Sequence, residues 1–202
     1  ADKEHADAEG FTPLYIAAAL EQLEVVRFLV ECRADGDALN HGVENENGYC
    51  TPLLNAVEGC DMEMCQVLLH ARADVNKGNG TWTPLMSAAE QGTPTMADLL
   101  LRARADVNLT DKAQGRSTAL IFAIERGHDE VMRRVIAARA DLEQRTARGL
   151  TALLIAARQG HARCVRCLVE GRADLNCRIR KSFWSFEQGQ TPCWLAAARG
   201  RG

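Results

Sequence analysis

Thr83-Pro84-Leu85-Met86-Ser87-Ala88-Ala89 is one of six related segments in this 202-residue chain, and the others begin at Thr12, Thr51, Thr118, Thr151 and Thr191. A second recurring element is the tripeptide Arg-Ala-Asp, which ends at Asp35, Asp74, Asp106, Asp141 and Asp174. Each of the first five threonines precedes the next of these aspartates by 23 residues, whereas the distance from an aspartate to the following threonine varies from 9 to 17 residues. Units of constant length joined by variable connectors are typical of a repeat protein.

The constant unit has the pattern of two short antiparallel helices. The Thr12 hydroxyl is suited to cap a helix, and Pro13 is suited to the first helical position, where its missing N–H would have no partner. A glycine marks the turn in three units, at Gly92, Gly127 and Gly160, and a second apolar segment follows it. Helices of this length are not stable in isolation, so we expect the units to stack on one another.

This pattern resembles the ankyrin repeat, because the threonine, the alanine pair, the glycine, an apolar triplet and the aspartate follow in the family's order. The resemblance implies an all-α solenoid of stacked helix-turn-helix units with loop or β-hairpin connectors, forming a single array over residues 1–202. Its expected parts are a partial repeat at 1–9, full repeats at about 10–47, 48–80, 81–114, 115–148 and 149–188, and a partial repeat at 189–202. Since polar capping repeats are missing from both ends, we expect a segment of a longer ankyrin-repeat protein.

Two departures from the family pattern concern single positions. The histidine of the signature is replaced by Tyr15, Leu54, Met86, Ile121, Leu154 and Trp194, which favours apolar contact between repeats. The glycine at the end of the second helix is replaced by Arg33, Arg72, Arg104, Arg139 and Arg172. Because a helix commonly ends there in a left-handed residue, we expect these arginines to adopt a backbone conformation that favours glycine.

Composition excludes several classes of protein. The chain is 47% apolar and 25% charged, which excludes a disordered chain, and its longest apolar stretch, residues 14–20, is far shorter than the ~20 residues that cross a bilayer. The eight cysteines are too scattered for a disulfide scaffold, and no signal-peptide pattern begins the chain. We therefore expect reduced thiols in a cytoplasmic or nuclear protein that is not secreted and has no transmembrane segment.

Charge is unevenly distributed although the total is only −3. Residues 1–101 carry 5 basic and 17 acidic side chains, a net of −12, whereas residues 102–202 carry 19 basic and 10 acidic side chains, a net of +9. In a linear stack of repeats, we expect this asymmetry to persist along the molecule.

No arrangement of residues in the sequence indicates catalysis or a cofactor. Cys164 and Cys167 have the spacing of metal ligands but lack a second pair, so we expect them to pack in the core, as we do for Cys60 and Cys65. His128 and His161 follow the turn glycines, where we expect a structural role. Neither a phosphate-binding loop, nor a nucleophile elbow, nor a pair of catalytic carboxylates is present. The sequence predicts no catalytic residue, no cofactor and no metal.

The resemblance implies that the loop tips and the exposed side of each first helix form a concave binding surface. The residue before each threonine faces this surface in the family, and we expect Phe11, Trp82 and Leu150 to act as binding anchors there. The alternative is that they pack on adjacent loops.

The two positions after the alanine pair also face this surface in the family, and we call them the first-helix row. Acid gives way to base along the row, which reads Ala19-Leu20, Glu58-Gly59, Glu90-Gln91, Glu125-Arg126, Arg158-Gln159 and Ala198-Arg199. We expect Leu20, Glu90, Arg126 and Arg158 to contact a partner, because charge along a surface steers association. The alternative is that the row is a solvated face without a partner.

Two connectors are long. Residues 36–47 are polar and acidic, and we expect a mobile loop there. Residues 177–188 place three aromatic residues, Phe183, Trp184 and Phe186, beside Arg178, Arg180 and Lys181. Such a basic and aromatic segment can bind an acidic peptide, an anionic lipid surface or single-stranded nucleic acid. The alternative is that the aromatic side chains fold back onto Trp194 and cover the last repeat.

The sequence thus predicts a monomeric, non-enzymatic protein–protein interaction module, a scaffold or adaptor with no small-molecule substrate. One alternative is a segment that regulates an attached enzyme, channel or ubiquitin ligase. A weaker alternative is that the basic half binds nucleic acid or an anionic membrane, through residues 178–186.

Overall fold

A computed structural model describes residues 11–32, 50–111, 115–179 and 189–199. Within these ranges the ordered elements are helices, and no strand occurs. The helices are α1 (Pro13–Ala19), α2 (Leu23–Glu31), α3 (Pro52–Glu58), α4 (Met62–His70), α5 (Pro84–Gln91), α6 (Pro94–Arg102), α7 (Ala119–Arg126), α8 (Asp129–Ala137), α9 (Ala152–Gln159), α10 (Ala162–Glu170) and α11 (Pro192–Arg199). The all-α fold class is confirmed.

All six recurring threonines cap the helix that follows them. The Thr51 hydroxyl oxygen, for example, accepts a hydrogen bond from the Leu54 N–H at 3.2 Å, and Pro52 occupies the first helical position. The same hydrogen bond is made at Thr12, Thr83, Thr118, Thr151 and Thr191, at 3.3–3.5 Å. An N-terminal cap of this kind stabilises a helix by about 1 kcal/mol, so each unit begins at a residue that the sequence itself marks.

The turns and helix ends require left-handed backbone at repeated positions. Gly92, Gly127 and Gly160 have φ between 71° and 75° at the turn between the two helices, where the first two repeats place Glu21 (φ 55°) and Cys60 (φ 58°) instead. At the end of the second helix, Arg72, Arg104, Arg139 and Arg172 have φ between 65° and 67°. The left-handed conformation expected of the arginines is therefore confirmed at these four; Arg33 lies outside the described residues.

The replacements of the family histidine are mostly core residues. Leu54, Met86, Ile121 and Leu154 are buried, which confirms apolar contact at these positions. Tyr15 is only half-buried, however, and Trp194 is half-exposed, so the apolar contact expected at the first and last of these positions is less complete.

The chain divides into two compact units. The first comprises Ala1–Ala88 and Asp98–Asp106, and the second comprises Ala89–Ala97 and Val107–Gly202. In the first unit α1 packs on α2 and α3, while α4 packs on α2 and α3, and Arg27 donates to Glu63 at 2.5 Å between α2 and α4. In the second unit α7 packs on α8 and α9, α10 packs on α8 and α9, and α11 packs on α9. A single array with the repeat boundaries given above stays a prediction.

Consecutive repeats are connected by hydrogen bonds in which one side chain of a repeat accepts from a backbone N–H of the next. The acceptor lies two residues after the recurring aspartate, and it binds the backbone N–H of the aspartate in the next repeat. The three bonds are Asp106 N–H to Asn76 Oδ1 at 2.7 Å, Asp141 N–H to Asn108 Oδ1 at 2.8 Å, and Asp174 N–H to Glu143 Oε1 at 2.8 Å. The recurring aspartates were recognised from the sequence but these acceptors were not, although their fixed offset from the aspartates is visible in the sequence.

Replacing a left-handed non-glycine residue by glycine should stabilise the fold. We expect Arg139→Gly and Cys60→Gly each to raise the free energy of unfolding by about 0.5–1 kcal/mol, because the steric cost of the left-handed conformation exceeds the extra chain entropy that glycine loses. Denaturant titrations of the purified variants measure this change. The matched control is Gly160→Ala, which should lower the free energy of unfolding; arginine or cysteine variants that are also less stable would contradict the expectation.

Removing one inter-repeat acceptor should weaken the stack. Asn108→Ala leaves the Asp141 N–H without its side-chain partner, and we expect a loss of about 1 kcal/mol in the free energy of unfolding. Asn108→Asp keeps an acceptor oxygen, as Glu143 does in the next repeat, and should remain close to the wild type. Equal losses in both variants, measured by thermal melts, would show that the amide acts in some other way.

Candidate functional site

The first-helix row is exposed within the first unit. Leu20, the residue that ends α1, is 62% exposed, and Ala19, Glu58 and Gly59 are exposed as well. A hollow of about 140 Å³ lies against this part of the row, between α1 and α3, and carries the carboxylates of Glu21 and Glu58. The row in this unit therefore offers one large apolar side chain beside acidic groups.

In the second unit, the row includes the basic side chains of Arg126 and Arg158 as well as acidic ones. Arg126, 58% exposed, forms an ion pair with Glu90 across two repeats, and the Gln159 side chain donates to the Glu125 carbonyl at 3.5 Å. Arg158 is half-buried. An exposed ion pair such as Arg126–Glu90 contributes at most about 1 kcal/mol to stability, so these residues can be substituted without unfolding the chain.

A groove lies along the row between α7 and α9, with a volume of about 250 Å³. We call it the α7–α9 groove. Most of its accessible lining is polar, and its apolar residues are almost fully buried. The lining residues are the charged Glu125, Arg148 and Arg158, the polar Ser117 and Thr146 with Gly115, and the buried Phe122, Leu150 and Ile155. One acidic and two basic side chains therefore line a mainly polar depression.

Three hydrogen bonds to backbone carbonyls hold the loop side of this groove. The Ala147 N–H donates to the Gly115 carbonyl at 2.6 Å, which joins the tips of two consecutive loops. The Arg145 guanidinium donates to the Gly149 carbonyl at 2.7 Å and to the Arg178 carbonyl at 3.1 Å, which joins the second tip to the following connector. The groove wall is consequently fixed before any ligand arrives.

The three expected anchors differ in exposure. Phe11 is half-buried and its ring stacks on Tyr15 with centroids 5.3 Å apart. Trp82 is half-buried and lies in a turn, in which its backbone N–H donates a hydrogen bond to Asn79 Oδ1 at 2.7 Å. Leu150 is only 6% exposed, which favours packing on adjacent loops over an exposed anchor. Leu150 therefore offers little accessible surface to a partner.

The long connectors are only partly described. Residues 36–47 and the aromatic residues Phe183, Trp184 and Phe186 lie outside the described residues. The base of the second connector is closed by two backbone hydrogen bonds, from Ile179 N–H to the Gln190 carbonyl at 3.1 Å and from Gly189 N–H to the Ile179 carbonyl at 2.9 Å. The use of this segment for binding stays a prediction.

The cysteines divide into buried and exposed thiols. Burial, with Asp61 nearby, raises the pKa of Cys65 to about 12, and burial together with a hydrogen bond to Asp129 raises the pKa of Cys164 to about 12. Both are core residues, as expected. The expectation for Cys60 was wrong: it is exposed, at the left-handed turn position between α3 and α4. Cys167 is half-buried.

His128 contacts the preceding repeat. Its ring Nε2 lies 2.9 Å from the Glu90 carbonyl oxygen, and a Cβ atom placed on Gly92 would lie 2.4 Å from the ring. These contacts support a structural role.

Neither a metal centre nor a membrane span is found in the part of the chain that the structure describes. No group of three or more histidine, cysteine and carboxylate side chains is placed there to hold a metal ion. None of the helices in those ranges has the length and the apolar character needed to cross a bilayer.

Thiol reactivity should follow this division. At pH 8 we expect iodoacetamide to label Cys60, Cys32 and Cys193 in the folded chain within minutes, because they are exposed. Cys65 and Cys164, with a pKa of about 12, should be labelled only after denaturation. Peptide mass spectrometry reads each site separately; fast labelling of Cys164 in the native chain would contradict its burial.

Comparison with protein families matches nearly the whole chain. A family model described as "Ankyrin repeats (3 copies)" matches residues 37–111, 104–179 and 120–202, and one described as "Ankyrin repeat" matches residues 9–41. No curated protein matches the chain at a significant level.

Proposed function

This chain belongs to the ankyrin-repeat family, and we propose that it is a non-enzymatic scaffold that binds a partner protein along the first-helix row and the adjacent loop tips. Ankyrin repeats are generally protein–protein interaction modules and are typically not catalytic. The α7–α9 groove is the observation that carries the proposal. Its charged lining and its hydrogen-bonded wall suit protein recognition, because complementary charge selects a partner and a preorganised wall loses little entropy on binding.

Exposure along the row supports the same surface. Leu20 presents a large apolar side chain to solvent in the first unit, and the Arg126–Glu90 pair and Arg158 supply charge in the second unit. Phe11 and Trp82 add half-buried aromatic surface beside the first helices of their own unit. Apolar and aromatic groups provide affinity, whereas the charges select the partner and speed its association.

The alternating charge in the second unit argues against nucleic acid as the principal ligand. Glu90 neutralises Arg126, and Glu125 lies on the groove rim beside Arg158. Binding to a phosphate backbone comes from basic groups that neutralise phosphates, and carboxylates beside them reduce that attraction. Regulation of an attached enzyme, channel or ubiquitin ligase is compatible with partner binding and would use the same row.

Two matched pairs of variants test the proposal. Arg126 on α7 and Arg133 on α8 are 58% and 59% exposed, and each forms an ion pair with a glutamate. Leu20, at the end of α1, and Phe28, on α2, are 62% and 64% exposed. We expect Arg126→Ala and Leu20→Asp to reduce partner capture from an extract of the source cells at least fivefold, because they lie on the row.

Arg133→Ala and Phe28→Asp lie on second helices and should leave the captured set unchanged. Quantitative mass spectrometry measures the captured proteins, and thermal melts confirm that all four variants fold. The proposal fails if the second-helix variants lose the partners while the row variants keep them.

A further inference from the structure

A second groove lies on the second helices of the first unit, between α2 and α4, and has a volume of about 390 Å³. We call it the α2–α4 groove. Both helices are nine residues long, and an ion pair between Arg27 and Glu63, at 2.5 Å, joins them. Val30, Val67 and Ala71 line the groove and are only half-buried. Unlike the α7–α9 groove, this one therefore has apolar atoms that a ligand can reach.

Carboxylates outnumber basic groups around the α2–α4 groove. Arg27 is paired with two of them, Glu63 at 2.5 Å and Glu24 at 3.7 Å. Glu31, the last residue of α2, is exposed on the groove wall and forms no ion pair with any other residue that the structure describes. An occupant that brings an apolar side chain together with a basic one would match both the lining and this carboxylate.

The walls of the groove favour a helix as the occupant. Because α2 and α4 use their backbone N–H and C=O groups internally, they offer no backbone partner to an extended segment. A helix satisfies its own backbone and can place one amphipathic face between two other helices.

One helix of the same chain has the complementary character. On α10, Val169 is 41% exposed, and Arg166 lies three residues before it on the same face. Arg166 is exposed as well and has no ion pair within the described ranges. Residues 162–172 carry three arginines and one glutamate, a net of +2, whereas residues 21–31 carry three glutamates and one arginine, a net of −2.

The exposed valine of α10 lies on the side that faces away from α8. Val169 is about 140° around the helix from Cys164, and the Cys164 thiol donates to Asp129 on α8 at 3.3 Å. A helix that approaches α10 from this side therefore meets Val169 and Arg166 without displacing α8.

The contact between α2 and α4 shows how a second helix uses these two positions. Arg166 and Val169 follow Arg27 and Val30 by 139 residues, which is also the spacing between Thr12 and Thr151. In α2, the arginine pairs with a carboxylate of α4 and the valine lines the groove between the two helices. The same pair of side chains in α10 is thus suited to contact another acidic second helix.

We propose that α10 of one copy of this chain docks in the α2–α4 groove of a second copy, with Val169 over Val30 and Val67 and with Arg166 paired to Glu31. The association is heterologous, because it joins two different surfaces. It uses second helices only and goes beyond the proposed function, which places a partner protein on the first helices and loop tips.

Sedimentation velocity of the full chain tests the association. We expect the weight-average sedimentation coefficient to rise between about 5 and about 200 μM protein, and the Kd to be at least fivefold weaker in about 500 mM than in about 50 mM NaCl, because salt screens exposed charges. A reducing buffer prevents the exposed cysteines from cross-linking copies.

Charge reversals locate the two surfaces. Glu31→Arg in the groove and Arg166→Glu on α10 should each weaken the association at least fivefold, because each places like charges together. The matched controls are Ala137→Arg and Arg133→Glu, which make the same changes at the equivalent, exposed positions of α8 and should associate like the wild type.

Mixing the two variants is the decisive measurement. The Glu31→Arg chain keeps an unaltered α10, and the Arg166→Glu chain keeps an unaltered groove. An equimolar mixture should therefore form a 1:1 complex with the affinity of the wild type, which also shows that both variants fold.

Several results would overturn the proposal. These are a sedimentation coefficient that does not change with concentration, as the monomer predicted from the sequence would give, association that both reversals leave intact, controls that weaken it equally, and a mixture that stays monomeric. Partner capture through Leu20 and Arg126 is a separate measurement on first helices, so the proposed function stands or fails independently.

Discussion

Packing between successive helix pairs is the interaction on which this structure depends. Its helices are seven to nine residues long, and isolated helices of that length are marginal in water. Small residues allow the close contact that stabilises them: Ala17 and Ala18 in α1, and Ala156 and Ala157 in α9, are buried between neighbouring helices. The threonine caps set where the first helix of each repeat begins, and the side-chain acceptors connect one repeat to the next.

This packing also determines which positions are available for function. The faces that pack between repeats are restricted to apolar or small residues, so variation is confined to the row after the alanine pair, to the loop tips and to the outer side of the second helices. In the second unit, Arg158 on a first helix and Arg148 on a loop tip meet around one groove. A surface assembled from consecutive repeats requires the stack to be folded before it can bind.

The sequence predicts the periodic features well because each follows from local physics. Each recurring threonine, such as Thr51, caps the helix that begins one residue later. Arg139 adopts the left-handed conformation because the helix ends there. For Leu150 the sequence left two alternatives open, an exposed anchor or packing on adjacent loops, and its burial favours the second. Its backbone N–H also donates to the Thr146 hydroxyl oxygen at 3.3 Å, a contact within the loop that no periodic signal marks. The groove was not predictable from the sequence, because Glu125 and Arg148 are distant along the chain and are brought to one groove only by packing.

The central claim is that a partner protein binds on the first helices and loop tips. Hydrogen–deuterium exchange of the full chain, with and without a captured partner, tests it most directly because it reads every segment at once. The account predicts slower exchange on binding at loop residues 115–117 and 146–150, with little change along α8 and α10. Protection confined to α8 and α10, with unaltered exchange at the loop tips, would contradict it.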